Sequence, residues 1–335
     1  MQAGLAIAMG ARFKNAGEFF QAVAVEGRRP APLDERLRPL AAAPGVTSSE
    51  AAGADGGYAS PPAFVKDILA VVASQTSILG RCRVVSDKFQ VTVPIDPNPP
   101  WKTTGAQVYW AAEGGQATAS KVELNGLTLK SHKLIALVPV TDELLDDAQG
   151  LESYLTSQVP IRIDYRAADA ILNGTGAGVP RGIVPSPAAI TVNKDNGQSA
   201  KLTLTNVENM LNALYAPCRQ SAVFVANPDL EPLMAGFGWP FYKPGPVPEL
   251  MGFPVLFHEA AQNVGTVGDI VFADFSQYLV TAKTSEAWSM HVYFDSDVTA
   301  YRFILRFDGE PGWKAPIARA HSSSTASPFV LLQAR

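Results

Sequence analysis

The strongest constraint in the chain is a long helical period that runs directly into a glycine-rich loop, Thr141 to Ile183. Thr141 is a good helix N-cap, and Asp142 and Glu143 behind it suit the positive end of a helix. A short helix is therefore predicted there, interrupted at Gly150. A longer one is predicted from Leu151 to Asn173, where Leu151, Leu155, Gln158, Ile161, Tyr165, Ala168 and Leu172 recur at three and four and share a face. At ~1.5 Å per residue it spans about 35 Å. Pro160 lacks an N–H and clashes with the preceding turn, which predicts a kink or a break into two pieces. Gly174, just past the last turn, ends the helix.

The loop that follows, Asn173 to Ile183, carries Gly174, Gly176, Gly178 and Gly182. A phosphate-cradling loop follows a strand and spaces its glycines G-x-G-x-x-G. This one follows a helix and reads G-x-G-x-G, so a flexible turn off the helix is the preferred reading. A nucleotide-binding enzyme built on Gly174–Gly178 is kept as a minor alternative.

Other chemistry is sparse. His132, His258, His291 and His321 stand at no metal-ligand spacing, and two cysteines, Cys82 and Cys218, make neither a zinc site nor a disulfide framework. Asp146 with Asp147, and Asp295 with Asp297, read as helix and turn acids before acid–base pairs. Trp110, Trp239, Trp288 and Trp313 read as packing or interface anchors. No catalytic residue, cofactor or metal is assigned. Net charge of −4 leaves no electrostatic footprint for tight nucleic-acid binding. No apolar run approaches the ~18 residues of a membrane span, and the basic residues Arg12 and Lys14 follow the apolar start where a secretory signal has them first. Synthesis in the cytoplasm with no membrane partner is the expectation.

Around the helix the chain reads mainly as strands and turns, with 26 prolines and 27 glycines. Phe13 to Val25 is predicted as a short amphipathic helix and Arg28 to Gly57 as an extended arm. Residues 1–60 hold six basic and six acidic side chains, which argues against a nucleic-acid arm. A helix is predicted over Ala63 to Leu79, strands over Lys88 to Ile95 and Lys133 to Val140, and a hairpin turn at Asn125-Gly126. Downstream, Lys201 to Leu214 reads as strand or turn and then helix with Asn206 as a cap. Strands are expected at 222–226, 255–258, 270–273, 278–281, 291–294, 299–307 and 327–332.

Two stretches carry a family resemblance. The first is Glu143-Leu144-Leu145 with Asp147, Leu151-Glu152 with Tyr154-Leu155, the long helix, and Asn173-Gly174-Thr175-Gly176 with Gly178, Pro180 and Gly182-Ile183. The second is Leu250 to Val255 followed by Gly268 to Tyr278. In this order they resemble the major capsid protein of tailed bacteriophages, with its Hong Kong 97-like fold, over Gly56 to the C-terminus. Gly56-Gly57-Tyr58 with Pro61 resembles the start of that family's ordered body, and Phe13 to Val25 gives a weaker match.

The resemblance implies an α+β fold with an N-terminal arm (1–60), a helix leading into the P-domain (61–86) and an E-loop hairpin (87–139). After these come the long spine helix (140–174) over a β-sheet, an A-domain (175–285), P-domain return strands (286–318) and a C-terminal strand back to the A-domain (319–335). It implies a non-enzymatic protein of the virion capsid that self-assembles as hexamers and pentamers into an icosahedral shell. That shell encloses double-stranded DNA held by weak contact, with portal and scaffold or decoration proteins as partners. An encapsulin-type nanocompartment is the nearer alternative, although such shells lack a long N-terminal arm. Phe13, Phe20, Trp101, Trp110, Lys102, Lys121, Lys130 and Lys133 are the candidate inter-subunit contacts. Residues 141–173 hold seven acids and two bases, which would repel packaged DNA if they face the lumen. Some family members join an E-loop lysine to a P-domain asparagine. No asparagine follows Asn263 here, so the resemblance implies a shell held by non-covalent contacts.

Overall fold

The computed structural model describes residues 77–86, 89–110, 119–141, 148–199, 201–293 and 298–335. The helix predicted over 13–25 and nearly all of that over 63–79 lie outside these residues. In chain order the elements are α1 (Ile78–Arg81), β1 (Arg83–Ser86), β2 (Gln90–Ile95), β3 (Asn125–Lys130), β4 (His132–Thr141), α2 (Ala148–Asn173), β5 (Ile190–Val192), α3 (Leu204–Ala213) and β6 (Val223–Ala226). There follow α4 (Glu231–Ala235), β7 (Tyr242–Lys243), β8 (Glu249–Leu250), β9 (Phe253–Phe257), β10 (Ile270–Ala273), β11 (Tyr278–Tyr293), β12 (Val298–Pro311), β13 (Ile317–Ala318), β14 (Thr325–Ala326) and β15 (Phe329–Leu332). They divide between two compact units. Of the described residues, the first takes those within 77–80, 133–164 and 283–306, and the second those within 81–132, 165–282 and 307–335.

In the first unit, β11, β12 and β4 lie side by side in that order. Thr141 closes β4 and does not stand free as a helix cap, and residues 142–147 lie outside the described residues. Helix α2 runs through Gly150, because one interior glycine costs only about 1 kcal/mol against alanine. It also runs through the buried Pro160 as one helix, not two pieces. The missing N–H removes one bond from a ladder of 26 residues, and the flanking turns hold. The buried stripe is Val159, Ile163, Ala167 and Ile171, whereas Ile161 and Tyr165 face outward at 56% and 40% exposure. The predicted face was rotated: two i, i+4 stripes compete upstream and converge only at the fully buried Ala167–Ala168 and Ile171–Leu172 pairs.

The second unit is built on a seven-stranded mixed sheet of order β5-β15-β10-β6-β9-β8-β7. Its middle strands β15, β10 and β6 are buried at every residue, which is why they read as continuous apolar runs. Phe224 stacks on Phe272 with centroids 4.0 Å apart, and Phe253 meets Phe272 edge-on at 5.1 Å, a favoured pair geometry. Helix α3 adds Val207 and Met210 to the same core. Its cap is Thr203, whose hydroxyl accepts from Asn206 N–H; Asn206, three residues on, returns the bond, so Asn206 completes a capping box and is not itself the cap. The short β5 at the sheet edge gave no period in the sequence. Strand β11 joins the two predicted strands 278–281 and 291–294 because no glycine or proline interrupts Tyr278 to Tyr293. Its first residues pair in parallel with β1, Arg83 opposite Leu279.

The glycine loop after α2 is a closed knot and not a loose turn. Gly174 N–H donates to Ala170 O at 3.0 Å, Gly182 N–H to Gly174 O at 2.7 Å, and Ile183 and Val184 N–H return to Ile171 O and Leu172 O, each at 2.9 Å. Arg181 N–H reaches Gly309 O at 2.9 Å, and the buried Tyr278 hydroxyl donates to Arg181 O at 2.9 Å. A Cβ on Gly182 would lie 2.5 Å from Gly174 N and 2.6 Å from Leu172 O, both backbone atoms that have nowhere to go. Gly178 has φ of +75° but open space around it. Gly182→Ala is therefore expected to cost about 3 kcal/mol or more in chemical denaturation of the full chain, and Gly178→Ala about 1 kcal/mol. Equal losses at the two positions would contradict the close-packed knot.

Candidate functional site

The surface that the sequence marks for contact is the excursion between β2 and β3. These strands pair antiparallel from Gln90 opposite Lys130 to Ile95 opposite Asn125. Asn125-Gly126 thus opens a strand and does not form the predicted hairpin turn. The alternation through Leu127 and Leu129 has a partner in Val91, Val93 and Ile95, and this longer-range pairing outcompetes the local turn. Those five residues form a small cluster with Val85 and Leu279, which anchors the ribbon.

Beyond Ile95 the described chain leaves along residues 96–110 and returns along 119–124. Pro97, Pro99 and Pro100 deny it ladder donors. Side chains tie the arms instead: Asn98 Nδ2 donates to Glu123 Oε2 at 3.3 Å, and Gln107 N–H donates to Ser120 Oγ at 3.0 Å. The outgoing arm presents Val108 at 97% exposure, Tyr109, and Trp110 at 105%, and Val122 and Leu124 are exposed on the returning arm. A contiguous run of large apolar side chains in water is the mark of an interaction surface.

The base of the excursion is fixed at two points. Asp308 on β12 accepts Lys130 N–H at 2.6 Å and Gly309 N–H at 2.9 Å. Trp101 Nε1–H donates to Ala318 O at 2.9 Å, and its ring lies 6.2 Å from Tyr215, which in turn meets Trp313 edge-on. Between Trp101 and the 312–320 segment lies a cavity of about 400 Å³. Ile95, Pro97, Leu127, Trp313 and Ile317 supply apolar wall, and Lys102, Lys314 and Arg319 supply charge.

The structure brings Trp101 and Lys102 together at this cavity, leaves Trp110 and Lys121 exposed on the outer excursion, and places Lys130 and Lys133 exposed on β3 and β4. Phe13 and Phe20 lie outside the described residues. Sequence reasoning missed Asp308, Tyr215, Trp313 and Arg319 as parts of this region. Only the tryptophan had a signal, and it pointed to packing in general. The N–H groups of Gly176, Arg181 and Gly182 are spent on carbonyls of the protein, so these amides are not available to cradle a phosphate. Burial pushes both cysteine thiols well above their ordinary value, helped at Cys218 by Asp274, which leaves them protonated and poor nucleophiles. Among the described residues no group of three His, Cys, Asp or Glu is placed to hold a metal, and no helix is long and apolar enough to cross a membrane.

The family model described as the phage capsid family matches residues 56–320. Among solved structures, the capsid of a native GTA particle superposes with a TM-score of 0.58 at 18% identity, covering 77% of this chain and 90% of that one. The capsid of an empty GTA particle gives 0.56 at 20% identity, over 77% and 90% of the two chains. A chain from Microbacterium phage Oxtober96 gives 0.52 at 15% identity, over 76% and 90%. At such identities the likeness speaks for the fold. A search of curated proteins finds no match.

Asp308 gives a measurable handle on the base of the excursion. Burial raises its carboxyl above the usual range, opposed by the two backbone N–H groups and by His132. Its ionised form is thus a cost to the folded state above that raised value. The cost is relieved as pH falls through it, down to the ordinary carboxylate range where the unfolded chain also takes up the proton. The parent is expected to gain stability relative to Asp308→Asn as pH is lowered from neutrality toward about 4, in denaturant titrations run at each pH. A difference that stays constant or moves the other way would contradict this assignment.

Proposed function

The chain belongs to the phage capsid family and is a major capsid protein, and we propose that its copies associate as hexamers and pentamers into an icosahedral shell around double-stranded DNA. The observation that carries this reading is the excursion 96–124, with Val108, Tyr109, Trp110, Val122 and Leu124 exposed and, among the described residues, no buried apolar cluster beyond its base. In water such a ribbon is marginal, and it becomes stable when a second surface covers it. A neighbouring copy is the surface that a closed shell always supplies.

In this reading residues 1–60 are an arm, 87–139 the E-loop, 140–174 the spine, 175–285 the A-domain, and the flanking segments 61–86, 286–318 and 319–335 the P-domain and the return to the A-domain. The outward Ile161 and Tyr165 on α2 offer a second apolar contact. Seven acids against two bases over 141–173 would keep DNA contact weak and allow dense packing. The role is structural and not enzymatic, with synthesis in the host cytoplasm and portal, scaffold or decoration proteins as further partners. The encapsulin-type compartment gains no better support from the comparisons.

Light scattering on the purified chain tests the proposal. The expected result is capsomers or shells as the dominant species. A compact monomer near 35.6 kDa that persists at high concentration would overturn it.

A further inference from the structure

The cavity at the base of the excursion and the tryptophan on its outgoing arm are complementary, and we propose that Trp110 of one copy inserts into the cavity of another. The inference rests on the shell reading and names the receptor that reading leaves open. Trp110 is fully exposed on its own chain, so the pocket that takes it belongs to a second copy. The cavity, about 400 Å³, lies at the small end of the ~300–1,000 Å³ range of binding pockets and suits one large side chain with its neighbours. Its wall is apolar and aromatic: Trp101, Trp313, Ile95, Leu127 and Ile317.

Charge points to the same occupant. Lys102, Lys314 and Arg319 stand at the cavity, and neither lysine forms an ion pair with a described residue. Arg319 is anchored through one terminal nitrogen to Asn212 O, while its buried Nε–H has no acceptor among the described residues. A buried donor without a partner is costly, and an incoming acceptor removes that cost. The segment 108–118 reads Val-Tyr-Trp-Ala-Ala-Glu-Gly-Gly-Gln-Ala-Thr: an aromatic knob followed three residues on by Glu113, its only charged side chain. An apolar tip with a single carboxylate is what an apolar hole rimmed by cations selects. Because knob and hole are different patches of one chain, the contact is head-to-tail, the type that forms a ring where the rotation between copies closes.

A pair of cysteines tests the contact in the full chain. One chain carries Ala111→Cys, next to an intact Trp110, and another carries Ala315→Cys at the cavity wall; Cys82 and Cys218 are buried and give little background. Mixed and oxidised, the two chains should form a disulfide-linked dimer on a non-reducing gel. Adding Trp110→Ala to the first chain should lower its yield at least ~10-fold, the loss expected when a buried aromatic anchor is removed. No dimer, although both thiols react with a small maleimide, overturns the proposal. So does a dimer that survives the loss of Trp110. A dimer between Ala315→Cys and Gln21→Cys in place of the expected one would give the cavity to the N-terminal segment and overturn it as well. Electron micrographs of the parent read the shell separately. Shells without the cross-link sink only the docking, and a Trp110-dependent cross-link without shells sinks only the shell.

Discussion

The second unit depends on how the C-terminal end of α2 is closed. Gly174 and Gly182 let two stretches of backbone approach so closely that no Cβ fits at either position. Of the carbonyls that the helix end leaves open, Ala170 O is taken by Gly174 N–H, Ile171 O by Ile183 N–H and Leu172 O by Val184 N–H, while Gly182 N–H takes Gly174 O just beyond. The same knot reaches the strands through Arg181, whose N–H meets Gly309 O and whose carbonyl accepts from Tyr278. Burial, and then Cys82, Asp308 and Glu310, push the Tyr278 phenol well above its ordinary value, so it remains a donor at any pH the protein meets. Gly309 is glycine because the Tyr278 ring occupies the space of its Cβ, 2.4 Å away. One residue earlier, Asp308 holds Lys130 and with it the base of the excursion. A chain of backbone and side-chain hydrogen bonds thus runs from the helix end to the ribbon that faces outward.

In the proposed shell the outward ribbon supplies the contact between copies, and no single contact needs to be strong. Full burial of one large apolar side chain contributes about 1.5–3 kcal/mol. Bringing two bodies together costs about 4–15 kcal/mol in lost freedom. The exposed residues of one excursion therefore come close to balance on their own, and a closed arrangement, in which each copy both gives and receives the contact, tips it. The buried Asp269–Arg335 pair, bidentate with contacts of 2.5 and 3.1 Å and also tied to Gly265 N–H and Lys201 O, does a different job. It secures the strand β15 end inside the second unit, where both charges have their hydrogen bonds.

Periodicity made the long helix, β2, β4, β6, β10 and β15 legible, because each buries a face or a whole run that the sequence records. Gly174 marked the helix end and the motif around it carried the family, but the loop read as a flexible turn and its close packing through Gly182 was not legible. What stayed hidden was set by partners distant in sequence. Asn125-Gly126 looked like a local turn until the pairing with 90–95 claimed it. Ile161 and Tyr165 read as inward because nothing in a single helix says which of two stripes is buried. The cavity joins residues 95–102 to 312–320, and no local pattern predicts a meeting of segments more than two hundred residues apart.

The central claim is that the excursion 96–124 is a bridge between copies. Electron cryomicroscopy of assembled particles, at a resolution that shows side chains, tests it most directly. The account predicts that each excursion lies on a neighbouring copy with Val108, Tyr109, Val122 and Leu124 covered. An excursion folded back on its own subunit, or left in solvent within intact particles, would contradict it.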